Sequence, residues 1–197
     1  MKLRLSYPVA PKINQLFGNS DAKYTNMALG GHNGIDFYAT NGTPVYATHD
    51  GFASYQVDDS GGHGVVIITD KEYEDLDGNL SYWKSISWHL CDPLKQPQFK
   101  SPIADKTGFV KVENGDLIGY ADNTGFSTGS HLHYGLKPVK KGENNWVWYN
   151  TEQENGYKGA VNPMPYFDKS YAGDIQILKK KITLLQKVVE LLKQLRG

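Results

Sequence analysis

The sequence predicts a mostly β protein: a body of short strands, followed by one amphipathic helix at the C-terminus. Three observations predict it. Short apolar runs alternate with Gly, Asp, Asn and Pro through most of the chain, which holds 21 Gly and 9 Pro in 197 residues. Such punctuation suits turns and short strands rather than a helical bundle. No long amphipathic helix and no internal repeat interrupts these runs. Beyond residue 170 the punctuation stops and apolar residues recur at spacings of three and four. The chain therefore divides into a body, 1–168, and a tail, 169–197.

In chain order, the strand candidates are GTPVYAT (42–48), GFASYQV (51–57), GVVIITD (64–70), LSYWKSISWHL (80–90), DLIGYAD (116–122) and SHLHYGLKPV (130–139). Each is rich in β-branched or aromatic residues and bounded by turn formers. The polar stretches 92–110 and 140–160 read as long loops, the second carrying Trp146, Trp148 and Tyr149. These three side chains fit a groove lining and the cover of a sheet edge equally well. In the tail, Ile175, Leu178, Ile182, Leu185, Val189 and Leu192 form a heptad row, β-branched at a and Leu at d. A second row (Ile177, Leu184, Val188, Leu191, Leu195) widens the apolar arc to about half the helix. Asp174 is placed to cap its N-terminus.

Charge and cysteine content exclude several classes. Lys plus Arg and Asp plus Glu each number 21. That balance argues against a non-specific nucleic-acid binder. The balance conceals an acidic net −4 over residues 1–170 and a basic net +4 over residues 171–197. One cysteine, Cys91, excludes an internal disulfide and a multi-cysteine zinc ribbon; it is expected as a small semi-buried residue near the site. No apolar run is long enough to span a membrane. MKLRLSYPVAPK at the N-terminus has no apolar core of a signal peptide. Synthesis in the cytoplasm without a signal peptide is expected.

Histidine placement carries the chemistry. His32 and Asp36 form H-x-x-x-D, His131 and His133 form H-x-H, and His89 ends the 80–90 strand. Side chains on a strand alternate faces. Leu132, Tyr134 and Leu136 should face the core, and His131 and His133 the other side. By the same parity Ile35 and Phe37 oppose Asp36. In 80–90, the apolar Leu80, Tyr82, Ile86, Trp88 and Leu90 are expected inward, with Ser81, Ser85, Ser87 and His89 opposite. One polar sheet face could then gather all these groups. Two imidazoles and a carboxylate make a three-ligand zinc set with a fourth position open to water. Further histidines beside it could move protons. Zinc polarises a carbonyl and acidifies water, which together permit amide hydrolysis. His49 and His63, beside turns, are expected as solvated surface residues.

GHNGIDFYATNGTPVYA, WHL and TGFSTGSHLHYGL, with the opening YPVAPKINQLFG, resemble the lysostaphin/LytM-type zinc endopeptidases of bacterial cell walls. The resemblance covers about residues 7–138, and 155–168 resembles the closing segment of that family. It implies a mostly antiparallel β-sheet with a concave groove, of duplicated-hybrid-motif type. It implies that His32, Asp36 and His133 hold zinc (Zn2+), and that His89 and His131 are catalytic. One would be the general base and the other would stabilise the oxyanion, in an order the sequence leaves open. The implied substrate is a peptide bond in peptidoglycan stems or cross-bridges. With neither a signal peptide nor an inhibitory propeptide expected, the reading is a phage-type lysin, made in the cytoplasm and acting on the wall after release at lysis. Gly34 and Gly42–Thr43 would shape turns beside the ligand strand. Gly135 stands where relatives commonly have an acidic residue. Tyr24 is the nearest match to an assisting tyrosine. The alternatives are a non-catalytic wall-binding or activator module on this fold, and a zinc peptidase of non-wall proteins. For the tail, the readings are a homo-oligomeric coiled coil through 171–197, contact with an outer membrane or anionic lipid, and docking on the body.

Overall fold

The computed structural model describes residues 1–141, 148–150 and 155–194, with 148–150 described by their backbone. Trp146, and the side chains of Trp148 and Tyr149, lie outside the described residues. The strands are β1 (Leu5–Tyr7), β2 (Ile13–Gln15), β3 (Ile35–Tyr38), β4 (Pro44–Tyr46), β5 (Gly51–Val57), β6 (His63–Thr69), β7 (Tyr73–Glu74), β8 (Leu80–Trp88), β9 (Val110–Val112), β10 (Leu117–Tyr120), β11 (His131–Lys141), β12 (Trp148–Asn150) and β13 (Phe167–Tyr171). A five-residue helix α1 (Ala22–Asn26) precedes β3, and α2 (Ala172–Gln194) follows β13. No helix among the described residues is long and apolar enough to cross a membrane.

The large sheet runs β2-β3-β11-β8-β6-β5-β9, with β12 beside β11 and β7 beside β8. Its neighbouring strands pair antiparallel throughout. Two small pairs, the parallel β1–β13 and the antiparallel β4–β10, complete the fold. Leu5, Phe167, Val45 and Ile118 from these pairs share one apolar cluster with Ile35, Phe37, Val65, Leu132, Tyr134 and Leu136 of the large sheet. The fold is thus a mostly antiparallel β architecture with one long C-terminal helix. The inner face of the large sheet is core, which leaves its outer face to the groove.

Strand parity holds in β3 and β11 but inverts in β8. Trp83, Ser85 and Ser87 are the buried residues of β8. The register pairs Trp88 with His133, Ile86 with Gly135 and Lys84 with Lys137. Tyr82, Ile86 and Trp88 therefore share the outer face with His133, opposite to expectation. The cause is a polar layer inside the core. The Ser85 hydroxyl lies 2.9 Å from His49 Nε2, and the Tyr134 hydroxyl lies 2.8 Å from Thr48 Oγ1. Small serines leave room for these larger partners. His89 then escapes parity altogether. It follows the last residue of β8 with φ 64°, and this left-handed step turns its ring to the outer face.

His49 is likewise buried rather than solvated. Its Nδ1 donates to the Asp50 carbonyl at 2.8 Å, which leaves Nε2 to accept from Ser85. Burial lowers its pKa from 6.5, partly offset by the Asp50 carbonyl. The unfolded chain therefore takes up the proton first. The stability of neutral His49 is fully present above about pH 6.5 and is lost as pH falls below it. Thermal unfolding of metal-free protein should show a falling midpoint from pH 7.5 to pH 5, at about these values. His49→Asn should flatten part of that slope, and an unchanged slope would refute the assignment.

α2 leaves the body quickly. Ala172 and Gly173 are buried, and Lys179 Nζ reaches Glu113 Oε2 at 3.0 Å and Asp116 Oδ1 at 3.5 Å. Asp174 lies inside the first turn rather than at the cap, where its charge still favours the helix N-terminus. Ile182, Leu185 and Leu192 are exposed, so docking on the body ends within the first turns.

Candidate metal centre and its groove

Three backbone segments bring the donors together. Asp36 is on β3 and His133 on β11, and the register places them directly opposite. His32 lies in the loop four residues before Asp36. His133 Nδ1 and Asp36 Oδ1 are 3.0 Å apart, His32 Nε2 and Asp36 Oδ1 are 3.1 Å apart, and the two ring nitrogens are 3.0 Å apart. Among the described residues this is a three-residue group able to hold a metal ion. Ligands about 2.0–2.1 Å from a tetrahedral ion lie about 3.3 Å from one another. The observed triangle needs only a small expansion to match.

Hydrogen bonding supports the fit. His32 Nδ1 faces the Leu16 carbonyl at 3.1 Å. If that nitrogen carries the proton, Nε2 presents a lone pair to the Asp36 carboxylate. Two acceptors at that distance repel unless a cation lies between them. Orientation of a ligating imidazole by a backbone carbonyl is the usual arrangement in metal sites. Burial raises the Asp36 carboxyl pKa, but the imidazoles of His133 and His32 beside it outweigh burial and hold the group well below the usual carboxylate range.

The other two histidines flank this triangle. His131 Nδ1 is 2.7 Å from the Gly129 carbonyl, and its Nε2 is 3.6 Å from Asp36 Oδ1. His89 Nδ1 is 2.7 Å from the Thr124 carbonyl. The ring centroids of His89 and His131 are 4.6 Å apart. Burial lowers the His89 pKa to about 4, despite the opposing bond to Thr124. Its ring is therefore neutral near pH 7. All five histidine and aspartate positions singled out in the sequence thus converge.

They floor a groove of about 880 Å³. Tyr24, Met27 and Leu29 line it on one side, and Trp88 and Phe126 belong to the other. Tyr24 sits on α1, whose N-cap Asp21 accepts from the Lys23 amide, and its ring stacks on His32 at 5.5 Å. Trp88 Nε1 donates to Asp58 Oδ2 at 2.9 Å. Two glycines permit these rings to settle. A Cβ on Gly34 would stand 2.6 Å from His133 Cε1, so close approach, more than turn shape, demands glycine there. A Cβ on Gly64 would stand 1.9 Å from Trp88 Cε3. Gly64→Ala should cost about 1–3 kcal/mol by overpacking and displace Trp88. Gly135→Ala, whose Cβ meets Ile86 no closer than 3.6 Å, should be tolerated. Unfolding midpoints and tryptophan emission of the two variants check this contrast.

Likeness to known proteins agrees with the geometry. No protein-family model matches the chain. It is 33% identical over 132 residues to the peptidoglycan DD-endopeptidase ShyA of Vibrio cholerae, covering 66% of this chain and 26% of that one. It is 30% identical over 111 residues to the glycyl-glycine endopeptidase ALE-1 of Staphylococcus capitis, covering 53% and 24%. A metalloprotease of Haemophilus influenzae is 33% identical over 105 residues, covering 52% and 18%. The chain thus spans about a quarter or less of the length of these curated relatives. Among solved structures, LytU superposes with TM-score 0.52 at 25% identity, covering 79% of this chain and 83% of that one. The chain is thus similar to the lysostaphin/LytM-type metallopeptidases. The catalytic domain of the prophage-encoded EnpA of Enterococcus faecalis shares the fold, with TM-score 0.51 at 22% identity over 82% of this chain and 95% of that one.

Some site residues had no sequence signal. Trp88 reads as core by parity and instead walls the groove. Thr124 holds His89 by its carbonyl, while its hydroxyl accepts from the His63 amide at 3.1 Å and donates to the Leu90 carbonyl at 2.7 Å. Only the tertiary fold makes that clip visible. His63 is half-buried rather than solvated, 2.7 Å from the Tyr55 hydroxyl and 3.6 Å from Asp92, apart from the triangle. Cys91 is fully buried, its Sγ donating to the Ala121 carbonyl at 3.4 Å. Its burial pushes the thiol up to about 11. That keeps it a protonated thiol near neutral pH, and a poor metal ligand.

Proposed function

We propose that this chain is a zinc-dependent endopeptidase that hydrolyses peptide bonds in peptidoglycan stem peptides or cross-bridges. The observation that carries the reading is the triangle of His32, Asp36 and His133 donors at the floor of an open groove. Two imidazoles and one carboxylate, with no thiolate, suit zinc with a position left open. The names of ShyA and ALE-1, a peptidoglycan DD-endopeptidase and a glycyl-glycine endopeptidase, support the substrate class.

When bound, the ion would act as a Lewis acid on the scissile carbonyl and lower the pKa of water toward about 7. The protein groups supply the rest. His32 is aimed by the Leu16 carbonyl and His133 by its pairing with Asp36. His89 and His131 each have Nδ1 engaged by a backbone carbonyl. Each therefore offers Nε2 to the groove. In this reading one accepts a proton from the attacking water and the other stabilises charge on the carbonyl oxygen. The Tyr24 and Trp88 walls would position an extended peptide across these rings.

The test is mass spectrometry of fragments released from purified sacculi of several wall types, with and without a zinc chelator. Chelator-sensitive new amino termini are expected, and their masses name the bond. No release from any wall by metal-loaded protein would overturn the reading in favour of a wall-binding module. Cleavage of a protein substrate such as casein, with sacculi left intact, would overturn the wall substrate.

A further inference from the structure

We propose that Lys84 and Lys137 form a subsite for a free carboxylate of the peptide substrate, on the sheet face that carries the metal triangle. The proposal rests on the peptidoglycan reading above and adds a substrate feature to it. Three rungs of the β8–β11 ladder define the subsite. Trp88 lies opposite His133, Ile86 opposite Gly135, and Lys84 opposite Lys137. Alternate residues of a strand share a face, so all six belong to the outer face. The first rung holds a metal donor and a groove wall. The second carries only the apolar Ile86 side chain and a glycine. The third places two lysines side by side, about 13 Å along the strand from the first at about 3.3 Å per residue. An extended peptide covers that distance in about four residues.

The lysine rung is electrostatically unbalanced by itself. Like charges directly opposite on neighbouring strands destabilise a sheet. Both side chains are half-buried, and neither forms an ion pair with a carboxylate among the described residues. Burial lowers the Lys84 pKa, and burial, with the charges of Lys84 and Lys158, pushes Lys137 down to about 8. A carboxylate between the two ammonium groups would offset both the repulsion and the lost hydration.

The rung is also built to hold its geometry. Lys137 Nζ donates to the Lys158 carbonyl at 2.7 Å, and Lys158 lines the groove. Lys158 has φ 53°, a left-handed conformation uncommon outside glycine. Asn155 fixes that turn. Its Oδ1 accepts from the Tyr157 amide at 2.9 Å and the Gly159 amide at 3.0 Å, and its Nδ2 donates to the Ala160 carbonyl at 2.8 Å. One ammonium donor of Lys137 is thus used in aiming it, and two are left for a ligand. The middle rung has room for a side chain, since a Cβ on Gly135 would meet nothing nearer than Ile86 at 3.6 Å.

The test is calorimetric titration of the full chain, in a zinc chelator, with two acetylated stem peptides: one with its carboxylates free, one with every carboxylate amidated. The acid peptide should bind about tenfold tighter, the scale of a hydrogen bond to a charged group. Lys84→Gln with Lys137→Gln should erase that preference without lowering the unfolding midpoint, because the like-charge pair goes with it. Gly135→Glu, which carries its own carboxylate on the middle rung, should erase the preference with both lysines in place. In protein labelled with ¹³Cε-lysine, the Lys137 resonance should titrate at about pH 8 and move upward with the acid peptide only. Equal binding of the two peptides by the wild type would overturn the subsite, even where sacculi are cut. A preference that survives in both variants would also overturn it. A chain that keeps the preference yet releases nothing from sacculi would overturn the proposed function alone.

Discussion

Replacing His32, Asp36 or His133 by alanine should remove metal binding and lower sacculus hydrolysis by about 10³-fold or more. Each variant opens a triangle whose edges are 3.0 to 3.1 Å. Loss of one ligand from a three-ligand site forfeits the several kcal/mol that a Lewis acid supplies to the transition state, and about 4 kcal/mol is that rate loss. The variants should fold. His32 lies in a loop, and Asp36 and His133 face the groove rather than the apolar cluster. Metal analysis after dialysis, read beside the rate of fragment release, checks the effect. Full metal content in any of the three would refute its assignment as a ligand.

Replacing His89 should separate metal binding from turnover. Its ring stands beside the triangle without belonging to it, and its centroid is 6.1 Å from that of His133. Metal content should remain that of the wild type while kcat falls about 10²- to 10⁴-fold, the usual contribution of a proton-transfer group. The choice of substitution matters. His89 has φ 64°, a conformation that asparagine tolerates better than most residues. His89→Asn should therefore fold more stably than His89→Ala, and both should lose turnover equally. A His89→Asn enzyme with unaltered kcat would show that the neighbouring His131 does the proton transfer alone.

How much of this was legible in the sequence depended on whether a local rule governed the position. Asp36, His131 and His133 lie within regular strands, so alternation alone placed them on the face opposite Phe37, Leu132 and Tyr134. β8 misled, because hydrophobicity marks the core only where the core is apolar. Here the interior holds a layer of His49, Ser85, Thr48 and Tyr134 hydroxyl and imidazole groups. The inward positions went to serines, and the outward ones to Ile86 and Trp88. His89 reached the site through a left-handed residue that no alternation predicts. His49 and His63 sit beside turn signals, yet neither is solvated: β8 lends Ser85 to one, and Tyr55 and Asp92 flank the other. α1 is too short for a periodic signal, although Asp21 two residues before Lys23 is a cap in retrospect. The C-terminal helix was plain, since nothing from the body competes with its own repeat.

The central claim is that two imidazoles and one carboxylate hold the metal. Extended X-ray absorption fine structure of the zinc-loaded chain measures this most directly. The account predicts nitrogen and oxygen scatterers at about 2.0–2.2 Å, with an outer-shell signal of two imidazole rings. In His89→Asn that spectrum should be unchanged. A sulfur scatterer at about 2.3 Å would implicate Cys91. That result, or a loss of one imidazole in the His89 variant, would contradict the account.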